Sequence, residues 1–196
     1  MQGTVGINGK LATRHITPPG PGLAWKLRNL PNIWPGLWRS NLARALRMPG
    51  LYGRLYARLF RADGSIVDYG LISTRVVTTA FVSFVVDQLQ TETSVFGDFK
   101  YHDSGVGITD PAIGDTDIET TDGEARATGN QGEASATVYQ SVGTISYTTT
   151  KAITEHGLFN ASTGVTLMDR SEFAAINVVN GDSIQYTYQL TVSAGG

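Results

Sequence analysis

Asn180-Gly-Asp-Ser-Ile-Gln-Tyr-Thr-Tyr-Gln-Leu-Thr-Val192 is the stretch that decides the fold class. Ile184, Tyr186, Tyr188, Leu190 and Val192 alternate with polar residues, so the apolar side chains share one face with period two, as in a half-buried strand. Asn180-Gly181 in front of them is a hairpin turn, because a two-residue type I′ turn needs positive φ at both central positions. Ala62-Asp63-Gly64-Ser65 repeats the signal and joins Leu51–Ala62 to a return strand, Ile66–Ser73. Further strands are expected at Phe96–Tyr101, Glu124–Thr128, Glu133–Thr150, Thr154–Asn160 and Phe173–Val178, with Gly105–Gly114 a glycine-punctuated loop. Val76–Val86 reads as a buried strand or, from Thr78 onward, as an amphipathic helix. The spacing of Ala80, Phe81, Phe84, Val85 and Leu89 favours a helix over Ala80–Gln90. Strands at roughly 8- to 12-residue spacing with little helix predict an antiparallel β-sandwich or jelly roll.

The N-terminal third has a different composition. Residues 1–62 hold ten basic residues and no acid, whereas residues 63–196 hold five basic and all seventeen acidic residues. All three tryptophans (Trp25, Trp34, Trp38) and six of the seven prolines also lie in the first 50 residues. Thr17-Pro-Pro-Gly-Pro-Gly22 reads as extended or polyproline II chain, since proline fixes φ and removes N–H donors. One short helix is expected at about Leu37–Met48, with Trp38, Leu42, Ala45 and Leu46 on one face, ended by Pro49-Gly50. The expected division is therefore a basic extended arm, residues 1–62, and an acidic β-body, residues 63–196. Three indoles on such an arm need another surface to cover them.

Two arm functions follow from this composition. Arg and Lys on phosphates with Trp stacked on bases would bind nucleic acid. Trp anchors in a partner's pockets with Arg pairing its acids would form a protein clasp, which the proline-stiffened 60-residue spread favours. The residues assigned to the clasp are Arg14, Trp25, Lys26, Arg28, Trp34, Trp38, Arg39, Arg44 and Arg47. The charge split also lets copies of the chain attract one another, arm to body.

The absence of cysteine excludes disulfides, Cys-ligated metals and a thiol nucleophile. Val76–Val86, eleven residues, is the longest apolar run, well short of the roughly 18 needed to span a bilayer, so no membrane partner is expected. Lys10 and Arg14 have no apolar run behind them, so no leader peptide is expected. Of three histidines, His102 and His156 lie in the body, in Tyr101-His-Asp103 and Glu155-His-Gly157. With Glu155 and Asp169 they would form a metal site or an acid–base cluster or, more simply, with Arg170 as well, a hydrogen-bond network fixing loops. No His-x-His or His-Glu-x-x-His spacing favours the first. Asp110–Glu119 is acidic but lacks the register of a calcium loop, and Gly105-Val-Gly107 is no dinucleotide fingerprint. Ser104 and Ser171 sit in no Gly-x-Ser-x-Gly elbow. No cofactor and no catalysis are expected.

Tyr101-His-Asp-Ser-Gly-Val-Gly107, Arg126-Ala-Thr-Gly129, Thr154-Glu-His-Gly-Leu-Phe159, Leu167-Met-Asp-Arg-Ser-Glu-Phe173 and Ile176-Asn-Val-Val-Asn-Gly-Asp-Ser-Ile184 together resemble a β-rich module of tailed-bacteriophage structural proteins. The resemblance covers residues 64–192. It implies a non-enzymatic virion protein made in the host cytoplasm, of the capsid decoration (cement) kind, with the major capsid protein and its own copies, as a homotrimer, for partners. Under it, His102, Glu155, His156, Asp169 and Arg170 fix loops. A neck or tail component, and a receptor- or glycan-binding module, are the alternatives. DNA contact by the arm is the lesser partner.

Overall fold

The computed structural model describes residues 18–46, 48, 50–74, 76–90, 99–164 and 166–193. Two five-stranded antiparallel sheets face each other as a β-sandwich. The first runs β2 (Ile66–Ser73), β1 (Gly50–Phe60), β10 (Ser183–Ser193), β7 (Val138–Ser146), β6 (Asn130–Ser135). The second runs β3 (Val76–Val77), β9 (Leu167–Val178), β8 (Lys151–Phe159), β4 (Tyr101–Gly105), β5 (Ala127–Thr128). Helix α1 (Leu23–Ala45) lies along one open side, and α2 (Thr79–Gln90) follows β3.

The alternating C-terminal strand is β10, at the centre of the first sheet between β1 and β7. Its buried residues Ile184, Tyr186, Tyr188 and Leu190 meet Leu55, Leu59, Ile153, Phe173 and Ile176 in the core. Gly181 has φ of 90°, as its turn requires. The Asn180-Gly181 turn is not the expected hairpin, because it carries the chain across from β9 in the second sheet to β10 in the first. Asp182 binds it to the β1–β2 hairpin turn, accepting from the Ala62 N–H (2.9 Å), the Val179 N–H (3.0 Å) and Arg61 (2.8 Å). Burial alone would raise its carboxyl, but these donors outweigh it and hold the group below the ordinary Asp value.

Several expectations change. The boundary at residue 62 falls too late: β1 pairs with β10 along its whole length, so residues 50–60 belong to the sandwich. Glu133–Thr150 is two strands, β6 and β7, turning at Ala136-Thr137. Glu124–Thr128 contracts to β5, and Phe173–Val178 extends back to Leu167, where Asp169 and Arg170 had masked the strand. Ala80–Gln90 is helical, as its spacing predicts. Of Phe96–Tyr101, residues 96–98 lie outside the described residues and β4 starts at Tyr101.

The largest correction is α1. Proline costs a helix interior about 3 kcal/mol, yet this helix runs through Pro31 and Pro35 from Leu23 to Ala45. Its compensation is tertiary. Between the two prolines, Thr74 donates through its N–H to the Asn32 carbonyl (3.1 Å) and through Oγ1 to the Ile33 carbonyl (2.7 Å). Only glycine fits at position 36, since a Cβ there would lie 2.1 Å from the Thr74 carbonyl oxygen.

Candidate docking surface on the edge helix

The helix α1 is amphipathic in the reverse of the usual sense, and the sheet edges explain why. β2 is an edge strand of the first sheet. β3 covers only Asp169 and Arg170 of β9, so the rest of that strand is a second edge. Unpaired edges present free N–H and C=O groups, and one solution is to lay a helix over them. Such a helix must offer polar atoms inward. Asn29 does so to both sheets at once: its Nδ2 donates to the Ile72 carbonyl of β2 (2.8 Å), and its Oδ1 accepts from the Ala174 N–H of β9 (2.7 Å). Asn32 donates to the same Oδ1 (3.2 Å). Trp25 Nε1 shares its proton between the carbonyls of Ala174 and Ala175 (3.0 Å each), while its ring meets Tyr69 edge-on at 4.8 Å. Just before the helix, the Asp68 N–H donates to the Pro19 carbonyl (3.0 Å). Asn29, Asn32 and Ser40 are accordingly buried.

With the inner face given to hydrogen bonds, the apolar residues point outward. Leu23, Leu27, Leu30, Trp34, Trp38 and Leu42 recur every three or four positions and are all exposed, Trp34 at 68% and Trp38 at 59%. Lys26, Arg28 and Arg39 are also exposed, and the helix carries no acid. Of the expected clasp residues, Trp34, Trp38, Lys26, Arg28 and Arg39 thus share one solvent-facing helix. Trp25 does not join them, because its indole holds the helix to β9. Arg44 is carried by the last turns of α1; Arg14 and Arg47 lie outside the described residues. Leu23, Leu27 and Leu30 were missed as members of the surface. Their spacing with Trp34 was readable, but two prolines argued against a helix.

The body cluster separates into three sites. Glu155, fully buried, accepts from the N–H groups of Gly107 (2.9 Å), Glu119 (2.9 Å) and Thr120 (2.8 Å) and from Arg170 (3.0 Å). Arg170 also reaches Asp115 (2.9 Å) and the Thr109 carbonyl (3.3 Å). Together they fasten the 106–120 loop to the second sheet, where Ile118 packs with Phe159 and Leu167. Asp169 lies apart, accepting from Ser171 (2.8 Å) and Tyr188 (3.4 Å). Burial pushes its carboxyl up to about 7, only partly offset by these two hydroxyls.

His102 and His156 form the third site. His102 Nδ1 is 2.9 Å from His156 Nε2, and His102 Nε2 is 2.9 Å from Ser141 Oγ. Among the described residues, His156 Nδ1 has no hydrogen-bond partner. The tautomers that leave a bare lone pair there, rather than a buried N–H, have His156 Nε2 donating to His102 and His102 Nε2 donating to Ser141. Burial drives His102 down to about 3; burial and the neighbouring His102 hold His156 well below its ordinary value. The line of hydroxyl and two imidazoles has the spacing of a nucleophile and its base. All three side chains are fully buried, however, so no substrate reaches the hydroxyl. Among the described residues no group of three His, Asp or Glu is placed to hold a metal ion, and no helix is long and apolar enough to cross a membrane.

No family model, no curated protein and no solved structure matches the chain.

Proposed function

We propose that this chain is a non-enzymatic structural protein of a tailed-phage virion, which decorates and stabilises the capsid by seating its outward helix face on neighbouring subunits. One observation carries the reading: α1 turns Trp34, Trp38 and a row of leucines to solvent while its polar face is buried. Contiguous exposed apolar surface of this kind marks a binding face, and Trp with Arg is the composition of interface anchors. The phage-like motifs of residues 101–184 supply the setting.

The fold suits the task. Because α1 is bound to both sheets through Asn29, its face is already ordered, and docking costs little further entropy. A shell under internal pressure gains from added buried area across its joints, and repeated copies gain again through multivalency. The buried imidazoles, the Glu155–Arg170 pair and Asp182 serve a rigid body and need no reaction.

The test is copy number in purified particles, by quantitative mass spectrometry against the major capsid protein. A ratio near one, or a simple fraction of it, supports shell-wide decoration. A ratio of a few per cent moves the protein to the neck or tail. Absence from the particle overturns the reading. Since α1 also closes the sandwich, its face is probed by substituting Trp34 and Trp38 rather than by truncation.

A further inference from the structure

The face of α1 has a neighbour on the same molecule. Pro35, Gly36 and Arg39 of α1 line a groove whose lining also includes Asp110 and Pro111 of the loop after β4. Farther along that loop, the Ile113 carbonyl accepts from the Thr79 N–H at the start of α2 (2.8 Å). The loop therefore links the two helices. α2 carries an exposed apolar stripe of its own, Val82, Val86 and Leu89, spaced four and three apart, and the loop adds exposed Ile108 and Ile113.

The charges on these neighbours are opposite. Residues 23–45 contain four bases and no acid. Residues 79–90 and 106–124 contain no base, and their acids include Asp87 on α2 and Asp110 on the loop, both exposed. Arg170 engages Asp115 and Glu119, and Arg126 engages Asp117 (3.5 Å), so the exposed acids beside the apolar surface are Asp87, next to Val86 on α2, and Asp110 on the loop.

Resting on the reading of α1 as a docking face, we propose that its occupant is a second copy of this chain, with α1 of one copy seated on α2 and the 108–113 segment of the other. Each surface has what the other lacks: apolar stripes meet, and a basic rim meets an acidic one. Because the two surfaces are linked on one molecule, a two-fold axis between them makes both contacts at once. Pairing α1 with α1 would instead set basic rim against basic rim.

Sedimentation velocity on the full chain tests this, with circular dichroism melts to show that each variant folds. Wild type is expected to self-associate, less so in high salt, because exposed charges are screened. Two paired substitutions, Trp34→Ser with Trp38→Ser and Val82→Asp with Leu89→Asp, should each weaken association by about tenfold or more. Arg28→Glu with Arg39→Glu, at exposed positions, should weaken it as well. A wild-type chain that stays monomeric at every concentration reached overturns the proposal, as does a Val82/Leu89 variant that associates like wild type. So does wild type that binds phosphatidylserine vesicles without self-associating. If a monomeric chain nevertheless joins particles, and does so through Trp34 and Trp38, this pairing fails while the decoration reading stands.

Discussion

Asn29→Ala removes a side chain that hydrogen-bonds α1 to both sheets at once. The substitution deletes the donor to the Ile72 carbonyl and the acceptor for the Ala174 N–H, two backbone groups of buried edge strands. Each such group left without a partner costs about 1 to 2 kcal/mol, giving about 2 to 4 kcal/mol in all. Alanine is the better helix former by about 0.6 kcal/mol, which reduces the net loss to about 1.5 to 3.5 kcal/mol. For a chain of this size, that lowers Tm by about 5 to 10 °C. Urea denaturation gives the free energy, and hydrogen exchange gives its location. The Ala174 amide should exchange much faster in the variant, while amides in the β1–β10 ladder slow or quicken only with global stability. A loss under about 0.5 kcal/mol, or unchanged protection at Ala174, would refute the idea that the polar inner face exists to hold the sheet edges.

Other outcomes follow from the same structure. Gly36→Val should destabilise by about 2 kcal/mol or more, since its Cβ would collide with the Thr74 carbonyl and lift the helix; a neutral denaturation curve counts against the close approach. Trp34→Ser with Trp38→Ser should leave the melting curve within about 0.5 kcal/mol of wild type yet abolish particle binding, because both rings are exposed. Arg170→Ala strands the buried Glu155 beside its loop and should cost about 3 kcal/mol, with new proteolytic cleavage in residues 106–120. For pH, Asp169 has a folded value of about 7 against 3.8 in the ordinary state, so its contribution is present at low pH and lost as pH rises from about 4 through 7. Asp169→Asn should therefore stabilise the chain by about 2 to 4 kcal/mol at pH 8 and by little at pH 4; an equal effect at both would be contrary. His102 and His156 act in the opposite sense. Their folded values are lowered, so stability is full above about 6.5 and falls by up to about 1.4 kcal/mol per histidine for each pH unit below it.

Those parts of the fold that rest on neighbouring residues could be read directly. The Asp63-Gly64 hairpin turn, the alternation of β10 and the helical spacing of Phe81, Phe84 and Leu89 are all local, and all appear as expected. Asn180-Gly181 turns the chain where expected, but between the two sheets rather than within one. What escaped depends on partners far along the chain. Pro31 and Pro35 argue against a helix, and contacts with residues dozens of positions away, among them Ile72, Thr74 and Ala174, outweigh them. Ala136-Thr137 turns β6 into β7 without a glycine or proline to mark it. Asp169 and Arg170 hide the start of β9, because two charged residues in a row look like a loop until Glu155 and Tyr188 are seen against them. The docking surface was half legible. Trp34 and Trp38 stood out by composition, whereas the role of Trp25 as an internal fastener required its distance to Ala174.

The most direct test of the central claim, that α1 presents its apolar face for another subunit to cover, is oxidative footprinting of the three tryptophans, read by mass spectrometry on the dilute free chain and on purified particles. The account predicts that Trp34 and Trp38 are strongly labelled in the free chain and protected in the particle, with Trp25 labelled far less than either in the free chain. Trp34 and Trp38 labelled equally in both states would contradict it.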